Sequence, residues 1–202
     1  MKVIFALITV AFAFTSYAQS DAAKTKSLKY QHRAWKEFQA HKFETAVLLL
    51  DSSIALDSSR PSPFILRSEA LWLLGKYAEA ANTYEKWIEL EVLTDSTILL
   101  VGAYVQLGML YDKANMFTQA KEHYMTAINT FESSYKPLKH FEIVEEMEYV
   151  MAFGLLGDSE NWQKKLEAFI KKHRSWNLSN LKNLTRKQLL DNRFAPYMLN
   201  DR

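Results

Sequence analysis

Three alanines set the frame of this sequence. Ala46, Ala80 and Ala120 each stand three residues after an aromatic side chain (Phe43, Tyr77, Phe117) and eight residues before an isoleucine (Ile54, Ile88, Ile128). Sixteen residues upstream of each is a further aromatic: Tyr30, Phe64 or Tyr104. The first two alanines are 34 residues apart and the third follows after 40. A step of 34 is the period of a helix–turn–helix unit that stacks on copies of itself, because one such unit cannot bury its apolar face alone. The chain is thereby restricted to repeated helical hairpins.

The units follow from the register. Residues 1–18 read as a secretory signal peptide: Lys2 is the positive start, Val3 to Phe14 is apolar apart from Thr9, and small residues at Ser16 and Ala18 put the cut after Ala18. Residues 19–26 form a polar, flexible leader. Hairpins are predicted over 27–60, 61–94 and 95–134, with turns at Ala40-His41-Lys42 and Gly75-Lys76-Tyr77. The third is lengthened by six residues, read as an earlier helix start capped by Asp95 and Ser96. A degenerate fourth pair covers 138–173, with Gly157-Asp158-Ser159 as stop and cap and Trp162 where an alanine is expected. A capping segment, 174–202, carries a Thr185–Gln188 capping box and ends near Phe194-Ala195-Pro196.

The third unit, with Tyr104, Leu107, Gly108, Tyr111, Phe117, Ala120, Tyr124 and Ala127, resembles the tetratricopeptide repeat family. The second keeps Phe64, Tyr77, Ala80 and Tyr84 but has Arg67-Ser68 for Leu-Gly and Trp87 for Ala; the first has Glu37 and Ser53 at signature positions. The resemblance implies an all-α, right-handed helical-hairpin solenoid with a C-terminal helical cap. It also implies a protein-binding groove lined by the first helix of each pair. By register that groove takes Gln31, Trp35, Phe38, Ile65, Glu69, Trp72, Val105, Met109, Asp112, Met147 and Met151, an apolar and aromatic strip suited to peptide recognition. The tail is expected on the exposed end of the fourth pair rather than in the groove, because short connections favour neighbours.

Composition narrows the function classes. There is no cysteine, so a lipid anchor at the cleavage point is excluded and an exported domain must rely on its core, which suits a periplasm. The net charge of +2 argues against a general nucleic-acid binder. The apolar start is too short for a membrane span, so the chain is not read as an integral membrane protein. From Glu160 onward ten Lys/Arg face four Asp/Glu, a solvated face or a contact for an acidic partner or anionic surface.

No chemistry is legible. The five histidines have no metal-binding spacing, and no phosphate loop or nucleophile elbow occurs. Glu122-His123 reads as solvated surface, and Glu142, Glu145, Glu146 and Glu148 as a solvent-facing acidic edge. No metal, cofactor or catalytic residue is assigned. The expected function is a non-catalytic protein–protein scaffold of the bacterial cell envelope, periplasmic or secreted. The alternative is a glycan or small-ligand binder using the groove tryptophans.

Overall fold

The computed structural model of the chain describes residues 2–93, 100–133, 142–174 and 179–191, and of residues 2–20 the backbone alone. The described residues are helical apart from turns. The helices are α1 (Lys2–Gln39), α2 (Phe43–Leu56), α3 (Ser62–Leu73), α4 (Tyr77–Leu93), α5 (Leu100–Lys113), α6 (Phe117–Glu132), α7 (Glu142–Leu156), α8 (Ser159–Lys172) and the short α9 (Arg186–Asp191), with a 3₁₀ turn at Ser179–Asn183 before the last. The helix α1 carries through the stretch 19–26 without a break, and Ser27 within it is buried. The Asp95–Ser96 cap, Phe141, Leu178 and the end at Phe194–Pro196 lie outside the described residues.

One turn geometry serves all four hairpins. His41, Gly75, Asn115 and Gly157 have φ of 58°, 73°, 61° and 79°. In each, the turn residue donates its N–H to the carbonyl three residues back, and the next residue donates to the carbonyl five back: Lys42 N to Glu37 O at 2.9 Å, Lys76 N to Leu71 O at 2.9 Å, Met116 N to Tyr111 O at 2.8 Å, Asp158 N to Phe153 O at 3.0 Å. This pairing ends a helix and satisfies its last carbonyls. Glycine meets the positive φ without strain at two turns; histidine and asparagine carry it at the others.

The chain divides into two compact units, Met1–Thr94 and Asp95–Arg202. In the N-terminal unit α1 pairs with α2, α2 packs on α3, and α3 pairs with α4. Ala34, Leu50 and Leu66 form a core cluster against which Phe38 and Leu49 lean. Its close crossings use serine. Ser27 and Ser53 each donate to the other's carbonyl at 2.9 Å, and Ser68 donates to Ala80 O at 2.9 Å. The sequence departures at Ser53 and Ser68 are therefore functional equivalents: a small side chain that closes the helix gap and satisfies its own hydroxyl.

In the C-terminal unit α5 pairs with α6, both pack on α7, α7 pairs with α8, the 3₁₀ turn lies on α8 and α9 lies on α7. Its crossings use glycine. A Cβ on Gly108 would stand 2.5 Å from Tyr124 Cε1 and 3.1 Å from Ala120 O. Trp162 is buried on α8, so the fourth pair is a complete hairpin. Thr185 N–H donates to Gln188 Oε1 at 2.8 Å and Gln188 N–H donates to Thr185 Oγ1 at 3.3 Å; this is the reciprocal cap that starts α9.

Two surface expectations are corrected. Of the acidic edge only Glu142 is exposed. Glu145 is fully buried, its carboxylate accepting Val101 N–H at 3.0 Å and Gly102 N–H at 3.1 Å. It answers the free amides and positive end of α5. Glu146 pairs with Lys172 at 2.7 Å and with His173 at 3.0 Å. Burial, and then the charge of Glu145, push the Glu148 carboxyl up to about 8. His123 is likewise not a solvated side chain: it stacks nearly parallel on Tyr104 and Tyr111, with centroids 6.4 and 5.3 Å away. Periodicity marked the charge on these helices but not which side chains the neighbouring helix covers.

Candidate partner-binding site

Counting back from the four turn residues gives the first helix of each hairpin a common register. Three residues before the turn stand Phe38, Trp72, Asp112 and Gly154. Six before stand Trp35, Glu69, Met109 and Met151, and ten before stand Gln31, Ile65, Val105 and Met147. These three rows hold every residue expected in the groove, and they add Gly154.

In the N-terminal unit these residues stay at least partly open. Trp35 is 46% exposed and lies parallel to Phe38, with centroids 6.0 Å apart and 5° between planes. Phe38 is fixed from behind by the edge of Phe43 at 5.4 Å. Trp72 is half-buried, its ring held by Tyr77 at 5.2 Å in an edge contact. Ile65 and Glu69 are half-buried, as is Gln31, whose side-chain oxygen accepts from Arg60. This is a set of aromatic rings on rigid helices, each locked by a second ring, so little rotamer freedom is left to lose on binding.

The C-terminal unit differs. Val105, Met109 and Asp112 are 1%, 3% and 4% exposed, so they offer no open surface; only Met147 and Met151 remain half-buried. Asp112 accepts from Tyr124 OH at 3.2 Å and from the Arg186 guanidinium of α9. Burial, then the Asp112 charge and hydrogen bond, push the Tyr124 phenol well above its ordinary range and keep it a neutral donor. Arg186 also donates through Nε to Leu155 O at 2.6 Å, and Lys113 pairs with Asp191. Leu189 is buried over Gly154, where a Cβ would stand 2.6 Å from Leu189 Cδ1 and 3.1 Å from Trp162. The tail therefore does not stop at the end of the fourth pair. Its 3₁₀ turn rests on α8, but α9 crosses α7 to the row of Asp112 and Gly154.

Sequence reasoning missed Arg186, Leu189 and Gly154 as partners. A signal existed for Gly154 alone, since the turn register puts a side-chain-free position where its counterparts carry Phe, Trp and Asp. Among the described residues no group of three His, Asp or Glu side chains could hold a metal ion. Among the same residues no helix is long and apolar enough to cross a membrane.

The family model described as Tetratricopeptide repeat matches residues 101–132, which are α5 and α6. Solved structures agree over longer spans. A crystal structure of MamA protein shares 17% identity over 79% of this chain and 81% of its own, with a TM-score of 0.55. A second MamA crystal structure gives 17%, 79%, 89% and 0.53. YrrB, described as a TPR protein with an unusual peptide-binding site, shares 14% identity over 91% of each chain, with a TM-score of 0.54. The fold is that of the tetratricopeptide repeat. No curated protein matches the chain in sequence. Tetratricopeptide geometry accounts for the close crossings at Gly108 and Ala120 and for the aromatic that starts α2, α4 and α6 (Phe43, Tyr77, Phe117). The Leu189–Gly154 and Arg186–Asp112 contacts are this chain's own.

Proposed function

We propose that the protein is a non-catalytic scaffold that binds a peptide or protein partner through the first-helix face of its N-terminal tetratricopeptide unit. The observation that carries the reading is Trp35: a large aromatic, 46% exposed, held flat on Phe38. Exposed rings fixed on a rigid frame are the side chains that dominate binding free energy at interfaces. Ile65, Glu69 and Trp72 share the register of that face and supply an apolar floor with one carboxylate.

Export belongs to the same proposal. Cleavage after Ala18 leaves a mature chain from Gln19 that keeps Ser27, Ala34 and Phe38, the side chains through which α1 packs on its unit. The scaffold then works in the cell envelope.

The test compares capture of envelope proteins by the mature parent chain with capture by Trp35→Ala and Trp72→Ala variants, each with a urea melt. Loss of the same captured species by both variants, with melting midpoints retained, supports the face. Undiminished capture by both moves the binding surface elsewhere.

A further inference from the structure

We propose that the first-helix face of the C-terminal unit is a docking site for a short helical segment of a partner protein, carrying an arginine and, three residues on, an aliphatic side chain, and that α9 fills this site in cis. The seat is defined by what α9 puts there. Arg186 reaches Asp112 and Leu155 O, Leu189 sits over Gly154, and Asp191 meets Lys113. Tyr124 donates to the same Asp112 oxygen that takes the Arg186 guanidinium, so the carboxylate keeps one partner from its own hairpin when no arginine is present. Gly154 lies inside α7, where glycine weakens a helix; what it provides is the room that a Cβ would take from Leu189, at 2.6 Å, and from Trp162 of α8, at 3.1 Å.

The occupant is loosely built. A six-residue helix is far below the length that holds itself together in water. Of its side chains Leu189 is buried and Leu190 half-buried, while Arg186, Lys187, Gln188 and Asp191 are exposed. Such an element opens locally at much less cost than the hairpins beneath it. A longer partner helix presenting the same Arg-x-x-Leu pattern makes the same contacts without first folding from coil, so it displaces α9. This inference does not depend on the Trp35 face, and its variants leave that face untouched.

The test uses the full chain and a labelled peptide of residues 179–191, followed by fluorescence anisotropy. The double variant Arg186→Ala with Leu189→Ala frees the seat and should bind the peptide at least tenfold more tightly than the parent. The peptide carrying Arg186→Glu should not bind. A double variant that melts cooperatively yet binds no better than the parent overturns the proposal, as does equal binding of the charge-reversed peptide. Should the double variant fail to melt cooperatively, amide exchange on the parent decides: excess peptide should speed exchange in α9 and leave α7 unchanged, and an unchanged α9 overturns the proposal. Dimers of the parent formed by exchanging tails, detected by sedimentation, would assign the seat to a second copy instead.

Discussion

The carboxylate of Glu145 on α7 accepts the backbone N–H of Val101 in the first turn of α5, at 3.0 Å, from a fully buried position. Its other oxygen takes Gly102 N–H at 3.1 Å. One side chain thus ties two successive hairpins of the C-terminal unit through amides that α5 itself cannot satisfy. Replacing Glu145 by alanine should cost about 2–4 kcal/mol, since two buried amides lose a charged acceptor. Glu145→Gln should cost less, because one oxygen remains. Urea melts of both variants check the order; equal loss would mean that shape rather than charge sets the contact.

Glu148 gives the unit a pH dependence. Its folded carboxyl titrates at about 8, above the ordinary range near 4.5, because burial and the Glu145 charge disfavour ionisation. The folded state then binds the proton more tightly than the unfolded state, so stability falls as pH rises from about 4.5 to about 8. Glu148→Gln removes that dependence and should stabilise the chain at pH 8 by about 1–3 kcal/mol relative to the parent, with little gain at pH 4. Melts at the two pH values measure it. A parent–variant difference that does not change with pH would show that Glu148 ionises freely.

The helix crossing at Gly108 has no spare room. A Cβ there meets the Tyr124 ring at 2.5 and 2.6 Å and the Ala120 carbonyl at 3.1 Å. Gly108→Ala should therefore destabilise by about 1–3 kcal/mol, whereas Lys121→Gln on the exposed side of α6 should stay within about 0.5 kcal/mol. Similar midpoints in urea would mean the crossing is looser than its geometry.

Two turns carry strain that glycine would relieve. His41 and Asn115 sit at φ of 58° and 61°, where Gly75 and Gly157 stand in the other hairpins. His41→Gly should stabilise the N-terminal hairpin by roughly 0.5–1 kcal/mol, with a smaller gain for Asn115→Gly because asparagine tolerates this region better. Thermal melts would read either; destabilisation by His41→Gly would mean that the edge contact of His41 with Phe43, at 5.8 Å, outweighs the strain.

The proposed export makes a direct prediction. Intact-mass analysis of protein recovered from the envelope fraction should find a chain beginning at Gln19. A chain still carrying Met1 in that fraction would refute processing after Ala18.

The repeated hairpins were legible because the alanine-aromatic register reflects a geometric necessity: close helix crossings admit only small side chains. The same register located the candidate rows on α1, α3, α5 and α7. It could not tell which members stay open. Trp35 and Met109 occupy equivalent positions, yet one is 46% and the other 3% exposed, so Met109→Glu would test the fold and not a binding face. Glu145 and the Arg186 pairing of Asp112 were unreadable for a related reason: the partners lie 43, 44 and 74 residues away, and a linear pattern carries no sign of them. The tail's apolar character was plain, but its seat required Gly154 to be matched to Leu189 in space.

The clasp of Ser27 and Ser53 also sets how far the chain can be trimmed. Residues 21–26 expose all their side chains but that of Ala23, which is half-covered, whereas Ser27 is sealed against α2. An aminopeptidase working inward through residues 21–26 would meet little resistance and then stall at this point. Deliberate aminopeptidase digestion should thus end in a ragged amino terminus just short of Ser27, with the hairpins beyond it intact.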